Sequence, residues 1–345
     1  MRSAMLRRSA IAQTAVARRR LNTSARSVGF AFDIDGVLLR GRQVIPEAKT
    51  ALRLLKTDKV PFILLTNGGG LHESERVKKL SDQLDVEITI DMLQQAHTPY
   101  RDRASEYKDK AVLIVGGHAG SPDDHVRNIA VSYGFERAYS PGDIHAWAPS
   151  IYPFGEPPSE ARQADFSKTK FEAIFVFHDS LKWYRDIQIM SDVLTSPDGH
   201  ISTDRDFDAG SPAQSVPVFF SNPDLIFGND YVVPRFGQGA FQEALRAVYK
   251  RISGHDLKAH VSGKPERATY QFADGLLRGQ NGGEQLKRVY MVGDNPQSDI
   301  KGANDYGWQS MLVRTGVFRG TDKHATSNAG VYDNVLLAVE AALSK

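Results

Sequence analysis

Short apolar runs alternate with amphipathic stretches from Val28 to the end of the chain. The runs have strand length, and the stretches repeat their apolar residues three and four apart, a pattern that predicts a parallel sheet covered by helices. Val28 to Phe32, Val60 to Leu65, Val112 to Val115, Ala173 to Phe177, Val216 to Phe220 and Val289 to Val292 read as strands. Pro46 to Lys56 reads as a helix, with Pro46 in the first turn where its missing N–H is not needed. Helices are also expected over Glu73 to Leu84, Asp91 to Ser105 with Asp91 as N-cap, Leu181 to Leu194, Gln238 to Arg251 and Asp333 to Leu343.

The middle of the chain changes in texture. Pro149 to Thr169 is proline-rich and polar, and Ser196 to Ser215 has the Asp and Gly content of a linker. The expected organisation is a leader over 1–28, a first part of an α/β core over 29–107, a separate inserted lobe over 108–214 and the rest of the core over 215–345. At 345 residues two such units are the natural count. No internal repeat is visible.

Composition narrows the functional classes. The chain has no cysteine, which excludes disulfides, thiolate nucleophiles and cysteine metal sites. No stretch reaches the roughly 18 uninterrupted apolar residues of a membrane span, so no transmembrane segment is expected. The formal net charge is +2, but seven arginines (2, 7, 8, 18, 19, 20 and 26) precede the first acid, Asp33. Without them 2 − 7 leaves −5, a mildly acidic body that argues against nucleic acid as a partner. The leader itself, rich in Arg, Ala and Ser and free of acids, has the composition of a mitochondrial transit peptide ending near Gly29.

Four segments join an apolar strand to a polar loop, where open parallel sheets bind ligands. Asp33 and Asp35 follow the first strand and, two apart on an extended chain, lie on one side of it. Thr66 and Asn67 lead into three glycines, offering a hydroxyl and open backbone N–H groups suited to a phosphate. Lys264 stands at a turn before a helix expected from Pro265, and Asp294 ends another buried strand with Asp299 five residues on. In this order the four segments resemble the signature motifs of the haloacid dehalogenase (HAD) superfamily of phosphohydrolases. The resemblance implies a Rossmann-like three-layer core with a parallel sheet and an inserted α/β cap between the second and third motifs. Its cap placement resembles subclass IIA. Leu65 to Gly70, Ala96 to Pro99, Arg235 to Gly239 and Gly293 to Asp299 resemble the mitochondrial branch named after the cat-eye-syndrome critical region.

The resemblance implies roles. Asp33 is the nucleophile that becomes an aspartyl phosphate, and Asp35 is the acid and then the base. Thr66, Asn67 and Lys264 bind phosphate, and Asp33, Asp35 (through its carbonyl), Asp294 and Asp299 belong to the Mg²⁺ site. A small phosphorylated metabolite is the implied substrate, with a link to glycerophospholipids in some relatives, and the mitochondrial matrix is the implied location. A catalytically silent scaffold and a phosphotransferase to an acceptor other than water remain as alternatives, and a homodimer is left open. Asn222 and Asp224 either orient the nucleophile loop or meet substrate, or simply close the strand in an Asn-Pro-Asp turn. His178, Asp179, Trp183, Tyr184 and Arg185 are candidates for a specificity pocket, although Trp183, Ile187 and Met190 have the spacing of a buried helix face. His97 either touches substrate or caps a helix.

Overall fold

The computed structural model describes residues 28–201, 214–320 and 326–345. The leader, apart from Val28, and most of the polar stretch 196–215 lie outside the described residues. In chain order the strands are β1 (Val28–Phe32), β2 (Leu39–Arg40), β3 (Gln43–Val44), β4 (Phe62–Leu65), β5 (Leu93–Gln94), β6 (Ala111–Val115), β7 (Ala138–Tyr139) and β8 (Phe171–Val176). They continue as β9 (Val218–Phe220), β10 (Ile226–Phe227), β11 (Arg235–Phe236), β12 (Ala259–Val261), β13 (Arg288–Gly293), β14 (Gln309–Val313) and β15 (Val331–Tyr332). The helices are α1 (Pro46–Thr57), α2 (Glu73–Leu84), α3 (His125–Tyr133), α4 (Pro141–Trp147), α5 (Trp183–Thr195), α6 (Gln238–Ser253), α7 (Arg267–Gln280), α8 (Lys301–Tyr306) and α9 (Val335–Leu343).

The α/β core is a six-stranded, all-parallel sheet in the order β15-β14-β13-β1-β4-β5. Side-chain alternation along β1 builds its three layers. Phe30 and Phe32 pack on one face with Leu52 of α1, Leu80 of α2 and Val339 of α9. Ala31 turns to the other face, against Tyr270 and Ala273 of α7 and Ala303 of α8. From β1 the chain continues to β4 on one side and returns as β13 on the other, so the strand order reverses between β1 and β13. That reversal opens a crevice at the carboxyl ends of these two strands, and Asp33 and Asp294 follow them directly.

The second unit is a five-stranded parallel sheet, β12-β9-β8-β6-β7. It corrects the expected boundaries. The strand at Val218–Phe220 pairs with β8, not with the core sheet, and β12 pairs with it in turn. Phe220 and Val218 bury themselves with Phe241, Leu245 and Tyr249 of α6 and with Ile189 and Val193 of α5. The inserted unit therefore extends to Val261 instead of ending at 214, because the apolar face of α6 packs on this sheet and on α5. At its start, Tyr100 and Tyr107 pack with Phe175 and Phe219, so the unit also begins before 108.

The helix expected over Asp91 to Ser105 is replaced by a 3₁₀ turn (Ile90–Met92), β5, and a second 3₁₀ turn (Thr98–Arg103). Pro99 supplies no N–H and disfavours helix at Thr98, while the open edge of β4 offers Leu93 and Gln94 a ladder. The helix expected from Pro265 begins at Arg267.

Candidate active site

The ends of β1, β4 and β13 and the loop after β12 bring four of the expected residues together, Asp33, Asn67 and Asp299 around Lys264. Lys264, 1% exposed, donates to Asp33 Oδ1 at 2.7 Å, to Asp299 Oδ1 at 2.6 Å and to the Leu65 carbonyl at 2.9 Å. Burial opposes its charge, but Asp299 and Asp33 more than compensate and raise its pKa. Asn67 holds the lysine's backbone from both sides: its Oδ1 accepts from Lys264 N at 2.7 Å and its Nδ2 donates to Lys264 O at 2.9 Å. The same Nδ2 donates to Asp224 Oδ2 at 2.9 Å. The Asn67 side chain is thus committed to holding Lys264 and Asp224.

Asp33 is buried, with its N–H bonded to the Val292 carbonyl at 3.0 Å. Burial raises its carboxyl well above the usual range; Lys264 pulls it down, and Asp299, Asp294 and Asp35 push it back up. Asp294 is raised to about 7, by burial first and then by Asp299. Its Oδ2 accepts from Val317 N at 2.5 Å. Gly36, at φ 92°, and Gly316 lie so close to Asp294 that neither has room for a Cβ. Asp299 Oδ2 accepts from the backbone N–H groups of Asp294 and Asn295 at 3.1 and 3.0 Å. With both oxygens engaged, Asp299 ties the Asp294 loop to Lys264.

Oxygens of Asp33, Asp294 and Asp299 lie within 4.8 Å of one another, all on buried residues, so the donor set fits a hard cation. The carboxylate of Asp35 stands outside this cluster. Burial raises its pKa, opposed by Arg76, Lys264 and His178.

Above this floor lies a cavity of about 220 Å³, roofed by the cap. Asp33, Asp35, Thr66, Asn67 and Asp294 reach it from the core, and His118, His178 and Asp179 from the second unit. Asn222 and Asp224 line it too, the Asn222 side chain holding Asp224 N at 2.7 Å. Arg185 is instead buried in ion pairs with Asp123 and Asp186, and Trp183 and Met190 pack in the cap core. Tyr184 is exposed against Phe154. His97 is fully buried, bonded to Tyr133 Oη at 2.9 Å and stacked on Phe177, so its role is structural. Arg76 was not anticipated from the sequence. The available signal was its position just inside α2, whose side chains lean back over the Thr66–Gly70 loop.

Residues 30–136 match the family of haloacid dehalogenase-like hydrolases, and residues 261–338 match a HAD-hydrolase-like family. A mitochondrial hydrolase of Saccharomyces cerevisiae is 38% identical over 96% of this chain and 99% of its own length. A cardiolipin synthase (CMP-forming)/mitochondrial hydrolase fusion protein of Schizosaccharomyces pombe is 40% identical over 92% of this chain, which spans 53% of the fusion. Among solved structures, the magnesium complex of a glycerol phosphate phosphatase from Mycobacterium tuberculosis superposes with a TM-score of 0.57 at 18% identity, over 90% of this chain and 75% of its own. The capped three-layer fold with acids at the ends of β1 and β13 defines a class, and the chain belongs to it: the haloacid dehalogenase-like hydrolases.

Proposed function

We propose that the chain is a Mg²⁺-dependent phosphomonoesterase that works through an aspartyl phosphate. The observation that carries this is the buried Lys264 ammonium bridging Asp33 and Asp299 beside Asp294. Three buried carboxylates, Asp33, Asp294 and Asp299, gather beside that one ammonium, and their surplus negative charge is what a divalent cation held by Asp33, Asp294 and the Asp35 carbonyl, with Asp299 supporting the site, would neutralise. When bound, the ion supplies electrostatic stabilisation of the phosphoryl charge.

A carboxylate oxygen of Asp33 attacks phosphorus, forming an O–P bond as the ester O–P bond breaks. Asp35, raised by burial, gives its proton to the departing alkoxide oxygen. Asp35 then takes a proton from water, whose oxygen attacks the aspartyl phosphate and frees Asp33 and inorganic phosphate. Lys264 holds Asp33 in place and offsets charge on the phosphoryl oxygens. Thr66 and the backbone of the glycine loop line the cavity where those oxygens would sit, and closure of the cap over it would exclude bulk water.

The names of the two yeast relatives support a mitochondrial setting, and the fusion to a cardiolipin synthase supports a place near glycerophospholipid metabolism. Phosphate release from a panel of phosphomonoesters, with and without Mg²⁺, tests the activity. We expect Mg²⁺-dependent release that Asp33→Asn lacks; release by a folded Asp33→Asn protein at the wild-type rate would sink the nucleophile assignment.

A further inference from the structure

One cation on the cavity wall has no task in the chemistry above. Among the described residues that line the cavity Arg76 is the sole lysine or arginine, while Asp33, Asp35, Asp179, Asp224 and Asp294 are all acids. Arg76 is half-buried, and no hydrogen bond or ion pair to a described residue engages its guanidinium. A guanidinium kept in a partly desolvated cleft without an acceptor is ready for an anion that arrives with the ligand.

Its surroundings show which end of the cavity it serves. Arg76 is the strongest of the positive influences that offset burial at Asp35, ahead of Lys264, and it is not among the leading influences on Asp33 or Asp294. It also acts on His178 and His118 of the cap. Asp35 is the residue that protonates the leaving oxygen, so this is the end that receives the alcohol half of the substrate. Burial holds the His118 imidazole down to about 4, and it lowers His178 as well, so near pH 7 neither adds positive charge. Asp35 and Asp179 at this end would repel a second anion, and Arg76 is the one lining group that reverses that repulsion.

We propose that Arg76 is a specificity-determining residue that pairs with a second anionic group on the alcohol half of the substrate. The preferred substrates are then small phosphomonoesters whose leaving alcohol carries a carboxylate or a further phosphate within a few bonds, a size that the cavity of about 220 Å³ suits. The inference rests on the phosphohydrolase reading above and adds the substrate class.

The test uses the full chain with Mg²⁺ and matched pairs: glycerol 3-phosphate against 3-phosphoglycerate, and ethylene glycol monophosphate against ethylene glycol bisphosphate. The wild type should prefer the member with the second anion, the first pair reporting a carboxylate and the second a phosphate. Arg76→Gln should lower that preference by roughly 10- to 100-fold, mainly through KM, and Arg76→Lys should restore part of it. Equal losses on both members of each pair would overturn the proposal, since Arg76 would then act only through Asp35; so would a wild type without preference. Calorimetry on Asp33→Asn separates the two readings if turnover is silent. Binding of 3-phosphoglycerate that Arg76→Gln abolishes would uphold the subsite while the hydrolase reading falls, and binding indifferent to Arg76 would remove the subsite.

Discussion

Lys264 is buried, with three oxygen partners from three separate segments, so its charge is compensated only while all of them stay in place. Lys264→Met would leave Asp33 and Asp299 buried and uncompensated. We expect a loss of about 3–5 kcal/mol in stability and at least roughly a thousandfold in kcat, measured by urea unfolding and phosphate release. His97 makes a different kind of prediction. Burial drives its imidazole to about 4, against the pull of Glu73, whereas an unfolded histidine titrates near 6.5. The folded state therefore refuses a proton that the unfolded chain accepts. The stability this provides is complete above about pH 6.5 and is lost as the pH falls towards 4, by at most about 3 kcal/mol. Urea midpoints between pH 7.5 and 4.5 should fall less steeply in His97→Gln than in the wild type; parallel slopes would show that His97 is not the titrating group.

At the scale of elements, much of the site could be read from the chain because it depends on local order. Strands that end in Asp33, Thr66 and Asp294 announce themselves as apolar runs that stop at acids, hydroxyls and glycines. What could not be read was which sheet a strand joins. Val218–Phe220 is as apolar as any core strand, and only its partners β8 and β12, with Phe241 on α6, place it in the cap. Arg76 escaped notice for the converse reason, since a charged residue on an amphipathic helix has the pattern of a solvated face. Phe220→Ala should open a cavity in the cap and cost about 3–4 kcal/mol by urea unfolding. Gly316→Ala forces a methyl group against the Asp294 carboxylate, and we expect the Mg²⁺ concentration for half-maximal activity to rise roughly 10- to 100-fold.

Over the whole molecule, charge divides the chain in two. The arginines of residues 1–28 stand apart from a body whose formal charge without them is −5, and a fluorescent fusion of residues 1–30 should enter mitochondria; a diffuse cytosolic signal would remove that assignment. Three residues after the edge strand β12 comes Lys264, clamped by Asn67 to the core. A cap exchanged between relatives as a cassette cut at residue 214 would split a sheet and leave β9, α6 and β12 without the strands they pack on. A workable graft has to enter before Tyr100 and leave after Val261, only two residues short of the turn that carries Lys264. Substrate choice and catalytic geometry therefore share one seam in this chain, and changing the first by recombination puts the second at risk.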